Sequence, residues 1–202
     1  MTKEEFKKRI ICACDRVIAA EEELTDIDSR FGDADHGLTM TKICKCIKSA
    51  VEESEGGIQT MLDDAAMAVL SISGGSAVPL WNTWLDGMQD AAPEEEEIDI
   101  AGIKEAFANA FSEFEDMSGA EVGDKTIMDA LKPASDAIAD YAGRDVQELF
   151  QLAADAAAAG TEKTKEFTAK YGRAKSYGAK TLGTVDAGAL SMTRFFQGLA
   201  LS

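Results

Sequence analysis

Along most of this chain apolar residues return at every third or fourth position, and that spacing restricts the fold more than any other feature. The cleanest run, Ile100, Ile103, Phe107, Phe111, Phe114 and Met117, lays an apolar stripe down one side of a helix with about 3.6 residues per turn. Phe6, Ile10, Cys14, Val17 and Leu24 predict a first helix over roughly residues 3–23. Met40, Cys44, Ile47 and Val51 predict a second, and Ile58, Met61, Leu62, Val69 and Ile72 a third behind the breaker Gly56-Gly57. A fourth carries Leu80, Trp81, Trp84, Leu85 and Met88. After an acidic stretch, Pro93 to Glu97, read as a solvated linker, comes the Ile100 helix, which Gly119 ends.

The remaining predicted helices cover roughly 126–141, with Asp124 as N-cap, then roughly 145–168 and 188–201. Lys170 to Ala187 reads as a long polar segment. The nearest thing to a strand, Thr181 to Val185, is short and interrupted by Gly183. The expected fold is all-α, with about eight amphipathic helices in one domain over residues 1–202.

Charge narrows the function. Against 20 Lys and Arg stand 37 Asp and Glu, a net charge of −17, so no basic stripe exists to engage nucleic acid or an anionic membrane. The opening MTKEEFKKRI lacks the apolar core of a signal peptide, and no run is apolar enough to span a membrane. A cytoplasmic protein with reduced cysteines is expected. Cys12, Cys14, Cys44 and Cys46 form two C-x-C pairs, a spacing unlike that of zinc sites, and Cys14 and Cys44 read as small core residues.

Four glycine-containing polar segments interrupt the helices, each before a helix start: Asp28–Gly37, Ser73–Ser76, Gly123–Thr126 and Arg173–Gly188. Helix N-termini carry unpaired amides and partial positive charge, so four gathered at one rim would hold a polyanion. Short loops could equally alternate between the two ends of a bundle. The first segment packs Asp28, Asp33, Asp35 and the sole histidine, His36, between glycines. Converging carboxylates suit Mg²⁺ or Ca²⁺, whereas capping of the next helix by Asp33 or Asp35 is the structural alternative. An EF-hand loop starting at Asp26 fails, because Arg30, Phe31 and Gly37 stand where its ligands and glycine belong. No Walker A or dinucleotide fingerprint is present.

Taken together, LTDIDSRFGDADHG, SGGSAVPLWNT, GDKTIMDALKPA and GRAKSYGAKTLGTVDAGALS resemble, in order and spacing, the nucleotide-binding L subunit of dihydroxyacetone kinase. The resemblance covers essentially the whole chain. It implies a barrel of eight antiparallel amphipathic helices with ADP or ATP at one end. It implies two Mg²⁺ ions on Asp28, Asp33 and Asp35, bridging the nucleotide phosphates. His36 and Thr39 would lie against the nucleotide, Gly75 and Ser76 would meet the phosphates, and Thr126 and Met128 would approach the adenosine. Arg173, Asp186 and Gly188 would line the cleft from the late loop, with Arg173 and His36 as the catalytic candidates. Implied partners are a separate ketose-binding K subunit and, in one branch of the family, a phosphohistidine phosphotransferase protein that rephosphorylates bound ADP; in the other branch free ATP is the donor. The chain departs from the family pattern at Ala34, Thr39, Val78, Asn82 and Ala187, where glycine, asparagine, glycine, glycine and proline are usual. The alternative function is a nucleotide-loaded module that binds a partner without turnover. A phosphatase ranks below both, because no general base other than His36 is evident.

Overall fold

The computed structural model describes residues 1–201, and among these it holds nine α-helices and two 3-10 segments. The predicted first helix is two helices, α1 (Lys3–Ala19) and α2 (Glu21–Ser29). The break falls at Ala20, whose N–H turns back to the Val17 carbonyl at 3.0 Å, a tight turn needing no glycine or proline and so leaving no mark in the sequence. Then follow α3 (His36–Glu53), α4 (Ile58–Leu70), α5 (Ala77–Asp90), α6 (Ile100–Ser118), α7 (Met128–Asp140), α8 (Val146–Lys163) and α9 (Ala187–Leu199). Helix α8 stops short of the predicted end, giving way to a 3-10 turn at Thr164–Glu166, and the polar segment beyond carries a second 3-10 stretch, Arg173–Thr181. Thr181 to Val185 forms no strand; the one β-type contact among the described residues is an isolated bridge between Thr2 and Glu97.

Each long helix packs on its neighbours in chain order, and α9 returns to α1, closing a ring of eight with α2 lying against α3 and α9. Helices packed in chain order, each joined to the next at one end of the ring, run alternately up and down. Closure needs close approach: a Cβ on Gly198 of α9 would sit 2.3 Å from the Ala13 Cα of α1. The ring's interior is filled, not hollow. Trp81 and Trp84 of α5 meet Phe195 of α9 edge-on at 5.1 and 5.5 Å, and Phe107, Phe150 and Phe196 extend the same cluster. Cys14 and Cys44 are fully buried where α1 crosses α3, and all four cysteines are free thiols. Among the described residues no helix is long and apolar enough to cross a membrane.

Alternation sorts the connections into two sets. Residues 54–57, 91–99 and 141–145 lie at one end. There Lys3 is buried and donates to the Ser54 and Gly56 carbonyls, while the backbone of the acidic stretch is tied down through Lys3 N to Glu96 O at 2.7 Å and Ile58 N to Glu95 O at 3.0 Å. The Glu94–Glu97 side chains are exposed as expected. At the other end lie residues 30–35, 71–76, 119–127 and 164–186, the four glycine-containing loops.

Candidate functional site

Those four loops surround one cleft of about 700 Å³. The carboxylate loop begins where α2 tightens, with Gly32 N donating to the Asp28 carbonyl at 2.6 Å. A Cβ on Gly32 would lie 2.0 Å from Asp28 Oδ1, so only glycine lets that carboxylate fold inward. Asp28 Oδ2 then accepts from Asp35 N at 3.2 Å. Ala34 takes φ +60°, the left-handed region where the family's usual glycine is unstrained. The outcome is convergence: one carboxylate oxygen from each of Asp28, Asp33 and Asp35 lies within 4.8 Å of the other two. Oxygens across an octahedral Mg²⁺ sit about 4 Å apart, so the donor set and its spacing fit a hard divalent cation after small side-chain adjustment. Neither Asp33 nor Asp35 caps α3 through its side chain. Asp35 is the N-cap residue but makes no side-chain capping bond, and Asp33 instead pairs with Arg173 at 2.7 Å.

His36 opens α3 with its ring packed inside the rim. Its Nε2 lies 3.2 Å from Ser191 Oγ, and Ser191 donates its single proton to the Gly188 carbonyl at 2.8 Å. The serine oxygen is then the acceptor and His36 Nε2 the donor. Burial pushes the His36 pKa below its ordinary 6.5, opposed by the Asp28 carboxylate and by a backbone hydrogen bond at Ala187.

Gly75 and Ser76 are exposed at the start of α5, with open space over Gly75. Two of the sequence departures meet beneath them. A Cβ on Gly74 would lie 2.6 Å from Val78 Cγ2 and 3.3 Å from Thr39 Cγ2, so both methyl groups press against the same point of this loop. Asn82 faces elsewhere, donating to the Ala66 carbonyl at 2.9 Å.

In the third loop the predicted cap is corrected. Helix α7 begins at Met128, and Asp124 does not cap it; its carboxylate accepts from Glu121 N at 2.9 Å and pairs with Lys170 at 2.6 Å. The loop's amides are held instead by Asp129, which reaches back to Gly123 N at 2.6 Å and Thr126 N at 2.8 Å. Asp186 caps α9 through Ala189 N at 2.8 Å. Desolvation pushes its carboxyl from 3.8 up to about 6, opposed by the capping bond and by the charge of Lys125.

Asp28, Asp33, Asp35, His36, Thr39, Gly75, Ser76, Thr126, Arg173, Asp186 and Gly188 all line the cleft, whereas Met128 is buried in α7 and does not. Sequence reasoning passed over Lys125, Asp129, Ser191 and the Phe31–Tyr177 edge contact at 5.3 Å. Lys125 and Asp129 stand inside GDKTIMDAL, so the motif held a signal; nothing linked Ser191 to His36 before the fold did.

Fold and site together define an all-α ring that presents a carboxylate cluster and several helix N-termini around one mouth. The chain belongs to the DAK2 domain family, whose model matches residues 30–201. It is similar to the ADP-binding subunit DhaL of PEP-dependent dihydroxyacetone kinase 1 from Listeria innocua, 30% identical over 92% of this chain and 89% of that one. It is also similar to the L-erythrulose kinase of Pectobacterium atrosepticum, 33% identical over 89% of this chain but only 31% of that protein. Against the crystal structure of the dihydroxyacetone kinase of C. freundii the TM-score is 0.74 at 22% identity, over 96% of this chain and 34% of that one, which establishes the shared fold. The chain thus spans about a third of these longer kinases and nearly all of the DhaL subunit.

Proposed function

We propose that this chain is the nucleotide-binding subunit of a ketose kinase of the dihydroxyacetone kinase type, holding ADP or ATP with Mg²⁺ for phosphoryl transfer to a short-chain ketose on a separate K subunit. One observation carries the reading: the three converging carboxylates stand at the same mouth as four helix-entry loops. A net charge of −17 repels polyphosphate unless the sign is reversed locally. Asp28, Asp33 and Asp35 would hold the divalent ions, two of them on the family pattern, and the ions when bound neutralise phosphate charge. Gly75 and Ser76 offer amides and a hydroxyl at the α5 entry, and Thr126, Asp186 and Gly188 border the opposite wall. Arg173, largely exposed on the late loop, supplies positive charge at the mouth where a phosphoryl group leaves. His36 and Thr39, near the start of α3, lie against the nucleotide.

The DhaL relative is named as part of a PEP-dependent kinase, which supports a K subunit and a phosphohistidine protein as partners here. The longer erythrulose kinases support a short-chain ketose as acceptor. Calorimetry with ADP and ATP, with and without Mg²⁺, tests the binding half; affinity indifferent to Mg²⁺ would refute it. Reconstitution with a K-type subunit and a ketose tests the transfer half. Mg-dependent binding without turnover in every such mixture would favour the partner-binding module instead.

A further inference from the structure

Arg173 sits on an excursion, residues 165–183, that leaves the ring after α8 and rejoins it before α9. Its tip is largely exposed and reaches across the cleft mouth, with Arg173 on Asp33 at 2.7 Å and Tyr177 against Phe31 at 5.3 Å. Something must fix where so exposed a segment starts and ends. At its base Gly183 N donates to the Lys165 carbonyl at 2.8 Å, and Asp186 N donates to Thr164 Oγ1 at 2.9 Å. Between the two strands of that base, from the α6–α7 loop, enters Lys125.

Lys125 is 5% exposed, and its ammonium donates to the carbonyls of Thr164 and Thr184, the residues flanking the excursion on either side. Neither acceptor is a carboxylate, so this is a charged group desolvated to grip main chain, at a cost that ordinary surface ion pairs do not bear. Burial accordingly draws its pKa below the usual lysine value. Its own backbone takes φ +60°, a left-handed conformation shared, among described non-glycine residues, only with Ala34 in the carboxylate loop. Asparagine or glycine would hold that conformation more easily, but neither reaches the two carbonyls. Adjoining bonds strengthen the same junction: Lys170 N donates to the Asp124 carbonyl at 3.1 Å, and Tyr171 donates its hydroxyl proton to the Gly119 carbonyl at 2.6 Å.

We propose that Lys125 is a positioning residue that clamps both ends of the 165–183 excursion and thereby delivers Arg173 to the cleft mouth. Two of its three donors are committed to main chain, so it acts through the excursion. The proposal rests on the nucleotide-binding reading for its functional consequence, but the clamp itself is testable without it.

The test uses the full chain as wild type, K125M, R173A and the double variant. Limited trypsin digestion reads the clamp directly, since Lys165, Lys170, Arg173, Lys175 and Lys180 all lie in the excursion. K125M should raise cleavage there about tenfold with little change elsewhere. Mg-ADP calorimetry reads the consequence. K125M should weaken binding about tenfold, yet add less than about twofold to the loss already caused by R173A, because both remove one device. Unchanged cleavage, or fully additive binding losses, would overturn the proposal. If wild type fails to bind Mg-ADP, the functional reading falls while the digestion arm still decides the clamp. K125Q, which leaves an uncharged donor at the site, substitutes if K125M does not fold, and must show the same two patterns.

Discussion

The two ends of the ring are each organised around a buried lysine, and they use it differently. At the closed end Lys3 finishes α3 by taking the Ser54 and Gly56 carbonyls, and it stands among connections whose backbone is hydrogen-bonded to other parts of the ring. At the open end Lys125 grips two carbonyls on either side of an exposed excursion, and three carboxylates converge at the same mouth, one of them paired with Arg173. One end ties its connecting backbone to other parts of the ring; the other leaves carboxylates and helix N-termini facing a cleft. The contrast teaches where stability can be separated from other roles: a group whose partners all lie within the fold contributes to folding, whereas converging like charges repel one another and oppose it.

The sharpest way to break this contrast is at the carboxylates. Asp33→Ala should leave thermal stability nearly unchanged, since Asp33 is exposed, while lowering Mg-dependent ADP affinity on the order of 100-fold by calorimetry. A loss of fold with unaltered affinity would invert the two ends. Lys3→Met should do the opposite, costing about 1–3 kcal/mol in denaturant unfolding by stranding two carbonyls, with Mg-ADP affinity unmoved. Asp186 sharpens the comparison through pH. Its folded pKa, about 6, is raised above the ordinary 3.8, so its stabilising contribution is complete below the ordinary value and is lost as pH rises through 6. Asp186→Asn should remove that loss, so the wild type should fall relative to the variant between about pH 5 and pH 7 by an amount of order 1 kcal/mol. The smallest effect belongs to Ala34→Gly, which relieves the left-handed strain at φ +60° and should shift unfolding by less than about 1 kcal/mol, because glycine's greater freedom in the unfolded chain offsets the gain.

The helices were legible because each buries a stripe, and a stripe is written into spacing. Ile100 to Met117 reads as a helix in the sequence and is α6 in the fold, ending at Gly119 with φ +59°. The break at Ala20 was not legible, since a tight turn among alanines and glutamates alters no apolar period. Asp124 was misread because Asp before a polar loop is a good cap by composition, whereas Asp129, the second residue of α7, reaches back to the loop amides of Gly123 and Thr126. Met128 followed its motif in the sequence but points its bulk into the core, leaving the cleft wall to Thr126 and Ile127.

By itself the sequence determined that this chain is helical, acidic and furnished with four glycine-bearing entries to helices, one of them rich in carboxylates. Only the tertiary structure decided that those entries share one end. Local periodicity records which face of each helix is apolar but not which way the helix runs, and it is the up-and-down closure of an eight-helix ring that sends every second connection to the same mouth.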